Sequence, residues 1–283
     1  MSLMSVEELA HRLPDPRLRI VDTRWYLQRP GDGRAAYAAG HIPGAIHLDL
    51  DSDLSAATGP GRHPLPDPTE FCARIEAYGI GTDDMVVAYD DAGGTTAARL
   101  WWMLDNLGHH NVLVLDGGIQ AWAAAGNELA TDETHWHAAS LTLRDDWRNV
   151  IDRDELSARL GEVTLLDARA PDRYRGEVEP IDPKAGHIPT ALSAPASANL
   201  DPHGRLLPAI RLRGRYSALA VPGQPLVTSC GSGTTACHHA LAMRVAGLPD
   251  PLLYVGSFSD WSEADMPVAV GDAPGEPLAG ARR

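Results

Sequence analysis

Short apolar runs rich in β-branched residues alternate along the chain with longer stretches whose apolar positions recur at helical spacing. In the first half, 18–22, 45–48, 85–90 and 111–115 read as strands. Between them, 5–12, 69–78, 95–107 and 118–125 read as helices. Such alternation predicts an α/β fold with a mostly parallel sheet and helices on both faces. The second half repeats the pattern. A short apolar run at 225–229 is followed by a glycine-rich turn and a helix over 235–245, which stops at Gly247 and Pro249.

The two halves also match residue by residue at four landmarks, in the same order. Asp22-Thr23-Arg24 pairs with Asp167-Ala168-Arg169, and Gly40-His41-Ile42-Pro43 with Gly186-His187-Ile188-Pro189. Asp91-Ala92-Gly93-Gly94 pairs with Cys230-Gly231-Ser232-Gly233, and Gly117-Gly118-Ile119-Gln120-Ala121-Trp122 with Gly256-Ser257-Phe258-Ser259-Asp260-Trp261. The offsets are 145, 146, 139 and 139 residues, so the chain is a duplication with loop insertions and deletions. We therefore expect one domain over 4–126, a polar linker over 127–146 and a second domain over 147–283. The tail 271–283 is rich in Pro, Gly and Ala and is expected to be partly mobile.

The 283 residues are enough for two cores, with 44% of them hydrophobic. A formal charge of −14 argues against nucleic acid and anionic membranes as partners. No apolar run is long enough for a membrane span, and no charged-then-apolar leader opens the chain, so a cytoplasmic location is expected. Cys72, Cys230 and Cys237 show neither metal-ligand nor disulfide spacing. The adjacent pairs His109-His110 and His238-His239 would point in different directions on a helix. No metal and no cofactor is expected.

Cys230 carries the chemistry. It stands where a buried strand ends and a helix begins, in the run Ser229-Cys230-Gly231-Ser232-Gly233-Thr234-Thr235. Glycines let the backbone curl there so that its N–H groups converge on one atom, and a thiolate in that cradle is stabilised by them and by the helix N-terminus. Cys230 is therefore expected to be a nucleophile. A cysteine phosphatase would need an arginine six positions later, but that residue is Ala236. A thioredoxin-like site would need a second cysteine at Gly233. A non-catalytic scaffold would have no reason to keep the cysteine. In the first half Asp91 stands opposite Cys230, so that half is expected to have lost the chemistry and to close the cleft.

The Cys-Gly-Ser-Gly-Thr-Thr loop, the His-Ile-Pro runs and the segment from Gly256 to Trp261 resemble the two-domain rhodanese-like sulfurtransferases. Within them the loop is closest to the 3-mercaptopyruvate branch, which reads C-G-S-G-V-T; Thr234 replaces the valine. The resemblance implies tandem rhodanese-like domains. It implies transfer of a sulfane sulfur, through a persulfide on Cys230, from a small anionic donor to cyanide, a thiol or a thioredoxin-like acceptor. The donor is expected to be 3-mercaptopyruvate, with thiosulfate as the alternative, because thiosulfate-specific members carry cationic loops such as C-R-K-G-V-T.

The resemblance also implies a Ser–His–Asp proton relay. Ser232 supplies the serine, His41 the histidine, and Asp32 is the candidate acid. Arg173 matches the arginine that holds the donor's carboxylate, and Gly231, Gly233, Thr234 and Thr235 line the donor pocket. A second arginine of the branch falls near Asp182, where this chain carries Glu179-Pro180-Ile181-Asp182-Pro183-Lys184, and Lys184 is a possible substitute. Arg169 and Arg24 are expected to brace the fold beside Asp167 and Asp22, and His187 to be structural.

Overall fold

The computed structural model describes residues 2–277. The first repeat runs β1 (Leu3–Met4), α1 (Val6–Arg12), β2 (Leu18–Asp22), α2 (Asp32–Ala39), β3 (Ala45–His47), α3 (Pro68–Ala77), β4 (Met85–Tyr89), α4 (Ala97–Asn106), β5 (Val112–Leu115) and α5 (Gly118–Ala124). Its five strands form a parallel sheet in the order β1-β5-β4-β2-β3. The central strands β4 and β5 are apolar nearly throughout and almost wholly buried, as parallel strands covered on both faces must be. Local sequence sets the helix starts. Ser5 caps α1 through Glu8 N–H, and Asp67 caps α3 through the N–H groups of Thr69 and Glu70, with Pro68 at the first helical position.

The second repeat runs β6 (Val150–Ile151), α6 (Arg153–Ala158), β7 (Thr164–Asp167), α7 (Pro171–Arg175), β8 (Leu192–Ser193), α8 (Ala209–Leu219), β9 (Leu226–Ser229), α9 (Thr234–Val245), β10 (Leu252–Tyr254) and α10 (Ser257–Glu263). Its sheet is again parallel, in the order β6-β10-β9-β7-β8, which reproduces the first sheet strand for strand. β9 lies in the middle of the sheet, so its C-terminal end opens where ligands meet parallel α/β sheets. Leu165, Val227, Tyr254, Phe258 and Trp261 build the core around it.

The chain forms two compact units that do not follow the midpoint of the sequence. One comprises Met1–Ala57, Leu65–Arg148 and Leu200–Leu206; the other comprises Thr58–Pro64, Asn149–Asn199 and Leu207–Arg283. The segment expected as a linker, 127–146, lies along the first unit. Ala139 N–H donates to Glu76 O at 3.1 Å, Leu141 N–H to Glu76 Oε1 at 2.7 Å, and Leu141 is buried. Of the tail, 271–277 is held in place: Thr190 N–H donates to Pro274 O at 2.5 Å. The remainder of the expected mobile tail lies outside the described residues.

The repeated landmarks are structural braces. Arg24 binds Asp22 at 2.6 Å and Gly40 O at 2.8 Å; Arg169 binds Asp167 and Gly186 O, both at 2.7 Å. His187 stacks on Tyr174 with ring centroids 3.7 Å apart, and its ring nitrogens face Tyr174 O at 2.8 Å and Ala273 O at 3.1 Å. Arg169 also lies over the Phe258 ring, 3.9 Å from its centroid.

Candidate active site

Cys230 follows β9 directly and is 2% exposed. Its main chain is fixed on both sides: Cys230 N–H donates to Ser257 Oγ at 3.0 Å, and Cys230 O accepts from Phe258 N–H at 3.0 Å. Gly231 O accepts from Ser259 N–H at 2.9 Å. Ser257 has a φ of 53°, uncommon for a non-glycine residue, and its hydroxyl donates onward to Tyr254 O at 2.8 Å. The turn then passes through Gly233 at φ +79°, where a Cβ would lie 2.3 Å from Val255 O, so only glycine fits. This geometry sends Gly233 N–H onto Cys230 Sγ at 3.1 Å. The sulfur thus meets an N–H donor beside the start of the twelve-residue helix α9.

Ser232 Oγ lies 2.7 Å from the ring nitrogen Nδ1 of His63, and Thr234 Oγ1 lies 3.5 Å from the same nitrogen. Both members of the His63–Ser232 pair are nearly buried, at 5% and 8% exposure. A hydroxyl and an imidazole at this distance can pass a proton.

The histidine of the expected relay is thus corrected. His41 stacks on Tyr37 at 3.9 Å, and its ring nitrogens face Tyr37 O at 2.9 Å and Asp132 O at 3.1 Å. That is the environment of His187 in the other repeat, and it is a structural one. Asp32 is corrected with it: it opens α2 on the surface and pairs with Arg29 at 2.5 Å. Thr235 is half-buried in the first turn of α9.

His63 escaped sequence reasoning because the run Thr58-Gly59-Pro60-Gly61-Arg62-His63-Pro64 reads as a featureless polar loop of the first repeat. It belongs instead to the second unit. The available signal was Gly61, at φ +73°, where a Cβ would fall 2.4 Å from Gly256 O; the loop is pinned there, with Arg62 N–H donating to Ser259 Oγ at 3.1 Å.

Arg173 ends in a buried ionic cluster. Its Nη2 lies 2.7 Å from Glu179 Oε1 and 3.1 Å from Asp182 Oδ2, and Arg62 Nη1 pairs with Asp182 Oδ1. Glu179 also accepts the N–H groups of Ile181 and Asp182. Burial pushes the Asp182 carboxyl above its ordinary range, against the pull of Arg62. Both guanidinium groups reach the catalytic turn. The Cβ position of Gly231 lies 2.9 Å from Arg62 Nη2 and 3.5 Å from Arg173 Nη1. Lys184 takes no part in the cluster: its ammonium binds Met266 O at 2.8 Å and Asp265 at 2.6 Å.

Residues 5–125 and 152–264 both match the model of the rhodanese-like domain. The chain belongs to the rhodanese-like family. It carries two rhodanese-like domains in tandem. A Pseudomonas aeruginosa protein described as "Probable 3-mercaptopyruvate sulfurtransferase" is 47% identical over 95% of this chain and 98% of its own length. A Mycobacterium tuberculosis protein whose description names a thiosulfate sulfurtransferase is 40% identical over 96% of this chain and 98% of its own. Among solved structures, 3-mercaptopyruvate sulfurtransferase from Leishmania major superposes with a TM-score of 0.82 at 33% identity, covering 93% of this chain and 74% of that one. Among the described residues, no helix of either rhodanese domain is long and apolar enough to cross a membrane.

Proposed function

We propose that this protein is a sulfurtransferase that takes sulfur from 3-mercaptopyruvate onto Cys230 and hands it to cyanide, a thiol or a thioredoxin-like acceptor. The observation that carries this reading is the Cys230 turn, in which a backbone N–H meets the sulfur and the His63–Ser232 pair stands on the same loop. In the first step the Cys230 thiolate attacks the donor sulfur. An S–S bond forms, the donor's C–S bond breaks, and its electron pair passes to the three-carbon fragment as an enolate. A proton delivered through Ser232 from His63 completes pyruvate. The proton on the transferred sulfur returns to His63, leaving a Cys230 persulfide anion. In the second step the acceptor attacks the outer sulfur and the Cys230 thiolate departs. Arg173 holds the donor's carboxylate, for which its planar fork is suited.

The choice of donor rests on charge. The loop itself carries no cation, but Arg62 and Arg173 arrive at Gly231 from elsewhere. Their charges are balanced by Glu179 and Asp182. A site near neutrality suits a mono-carboxylate with a proton relay better than a dianion. Thiosulfate is the alternative donor, named for the 40%-identical relative. A cytoplasmic location agrees with three cysteines of which none is in a disulfide. The test is a side-by-side measurement of kcat/KM for 3-mercaptopyruvate and thiosulfate, with cyanide and with a dithiol as acceptors. The higher value should belong to mercaptopyruvate; a higher value for thiosulfate would reverse the donor assignment.

A further inference from the structure

We infer that Arg62 is a donor-binding residue of the second unit, forming with Arg173 a two-guanidinium clamp over Gly231 that Asp182 aligns. This rests on the reading of Arg173 as the carboxylate grip and extends it to a residue from a different part of the chain. Asp182 gives one oxygen to each arginine, Oδ1 to Arg62 and Oδ2 to Arg173. The carboxylate is almost wholly buried, with 2% of its side chain exposed, whereas Arg62 and Arg173 keep 22% and 17%. The acid is thus more deeply buried than the two guanidinium groups it joins, and Arg62 Nε is itself buried without a hydrogen-bond partner. Of the two terminal nitrogens of Arg62, Nη1 is committed to Asp182, and Nη2 reaches to 2.9 Å from the Gly231 Cβ position, one residue from Cys230. A donor carboxylate bound there would accept from Arg62 Nη2 and from Arg173 Nη1, with the donor sulfur left toward Cys230.

The same distances explain Gly231. Its φ lies outside the left-handed region, so its backbone would accept any side chain, and the atom that a Cβ would meet first is the tip of Arg62. Glycine at 231 leaves room for Arg62 beside the sulfur. An alanine there should push the guanidinium aside and leave the turn itself unchanged.

The experiment is a double-mutant cycle on steady-state kinetics with 3-mercaptopyruvate, with melting temperature measured alongside. Arg62→Ala should raise KM by about 10- to 100-fold while kcat changes little. Arg62→Lys keeps a cation for Asp182 but cannot place a second donor over Gly231, so its KM should also rise, with the melting temperature of the parent. Gly231→Ala should raise KM in the parent and have almost no further effect in the Arg62→Ala background. Additive effects of Gly231→Ala and Arg62→Ala would overturn the coupling. An unchanged KM in Arg62→Lys and Arg62→Ala, with KM raised in Arg173→Ala, would remove Arg62 from the donor site and leave the Arg173 reading intact. Unchanged KM in all three arginine variants would mean that the carboxylate reading itself had failed.

Discussion

The turns after β4 and β9 are built alike and differ in what fills them. In the first unit the carboxylate of Asp90 takes the whole turn. It accepts N–H groups from Ala92 at 2.9 Å, Gly94 at 2.8 Å, Thr96 at 2.8 Å and Ala97 at 3.0 Å, and the Thr96 hydroxyl at 2.9 Å. The repeat places Ser229 opposite Asp90. Ser229 Oγ is buried with no hydrogen-bond partner, and the sulfur of Cys230 receives Gly233 N–H. Asp91, which stands opposite Cys230, accepts from Tyr26 OH at 2.5 Å; burial, and then this carboxylate, push that phenol up to about 12. The first loop thus differs from the second in two ways. It lacks the thiol, and its N–H cradle is already satisfied by a resident anion. The second loop has a small hydroxyl in place of that anion, and on the proposed reading its N–H groups serve an anion that forms during the reaction.

Copying the first loop into the second should have the largest effect. Ser229→Asp puts a carboxylate beneath the cradle, so kcat/KM should fall on the order of 1000-fold although Cys230 is untouched, because several N–H donors are lost at once. Activity within a few-fold of the parent would show that the cradle does not act on sulfur. Next comes the relay, absent from the first loop, where Gly93 stands opposite Ser232. His63→Ala should lower kcat with mercaptopyruvate by roughly 100-fold, the usual scale of a positioned acid or base. His41→Ala should act on melting temperature instead. Equal kinetic losses in both would undo the correction of His41 to His63.

Arg173 stands opposite Ala36. Arg173→Ala should cost about 2–3 kcal/mol of transition-state binding, and Arg173→Lys should recover only part of it. Normal kinetics with a lower melting temperature would return Arg173 to a structural role beside Glu179 and Asp182.

The smallest effect concerns stability alone. His239 on α9 replaces Leu100 of α4, and both are wholly buried. Burial, then the neighbouring His238, lowers the His239 imidazole from 6.5 to about 3, and neither ring nitrogen has a hydrogen-bond partner. The native state therefore keeps it neutral while the unfolded chain protonates it below about 6.5. Its contribution is intact above that pH and is lost as pH falls toward 3. His239→Leu should flatten the decline of melting temperature between pH 6.5 and 4. An unchanged decline would assign acid sensitivity elsewhere.

The parallel sheets and the Cys230 turn were legible because their signals are local. β-branched runs with helical stretches between them located β2, β4, β5 and β9, and the glycines around Cys230 announced the turn. Helix α2 was missed because Gly31 and Gly33 interrupt its start and its apolar face is narrow. His63 and Arg62 were missed for a different reason. They bond to Ser232 and Asp182 across 169 and 120 residues, and nothing in a loop of Gly, Pro and Thr reports where it packs. His41 was favoured by its place in a repeated motif, and that repetition was the warning: both copies serve the fold.

The central claim is that the second unit alone carries sulfur, on Cys230. Intact-mass measurement after treatment with 3-mercaptopyruvate, without acceptor, addresses it directly. The parent should gain one sulfur atom and lose it when cyanide is added, and Cys230→Ser should gain none. A sulfur retained in Cys230→Ser, on Cys72 or Cys237, would contradict the account.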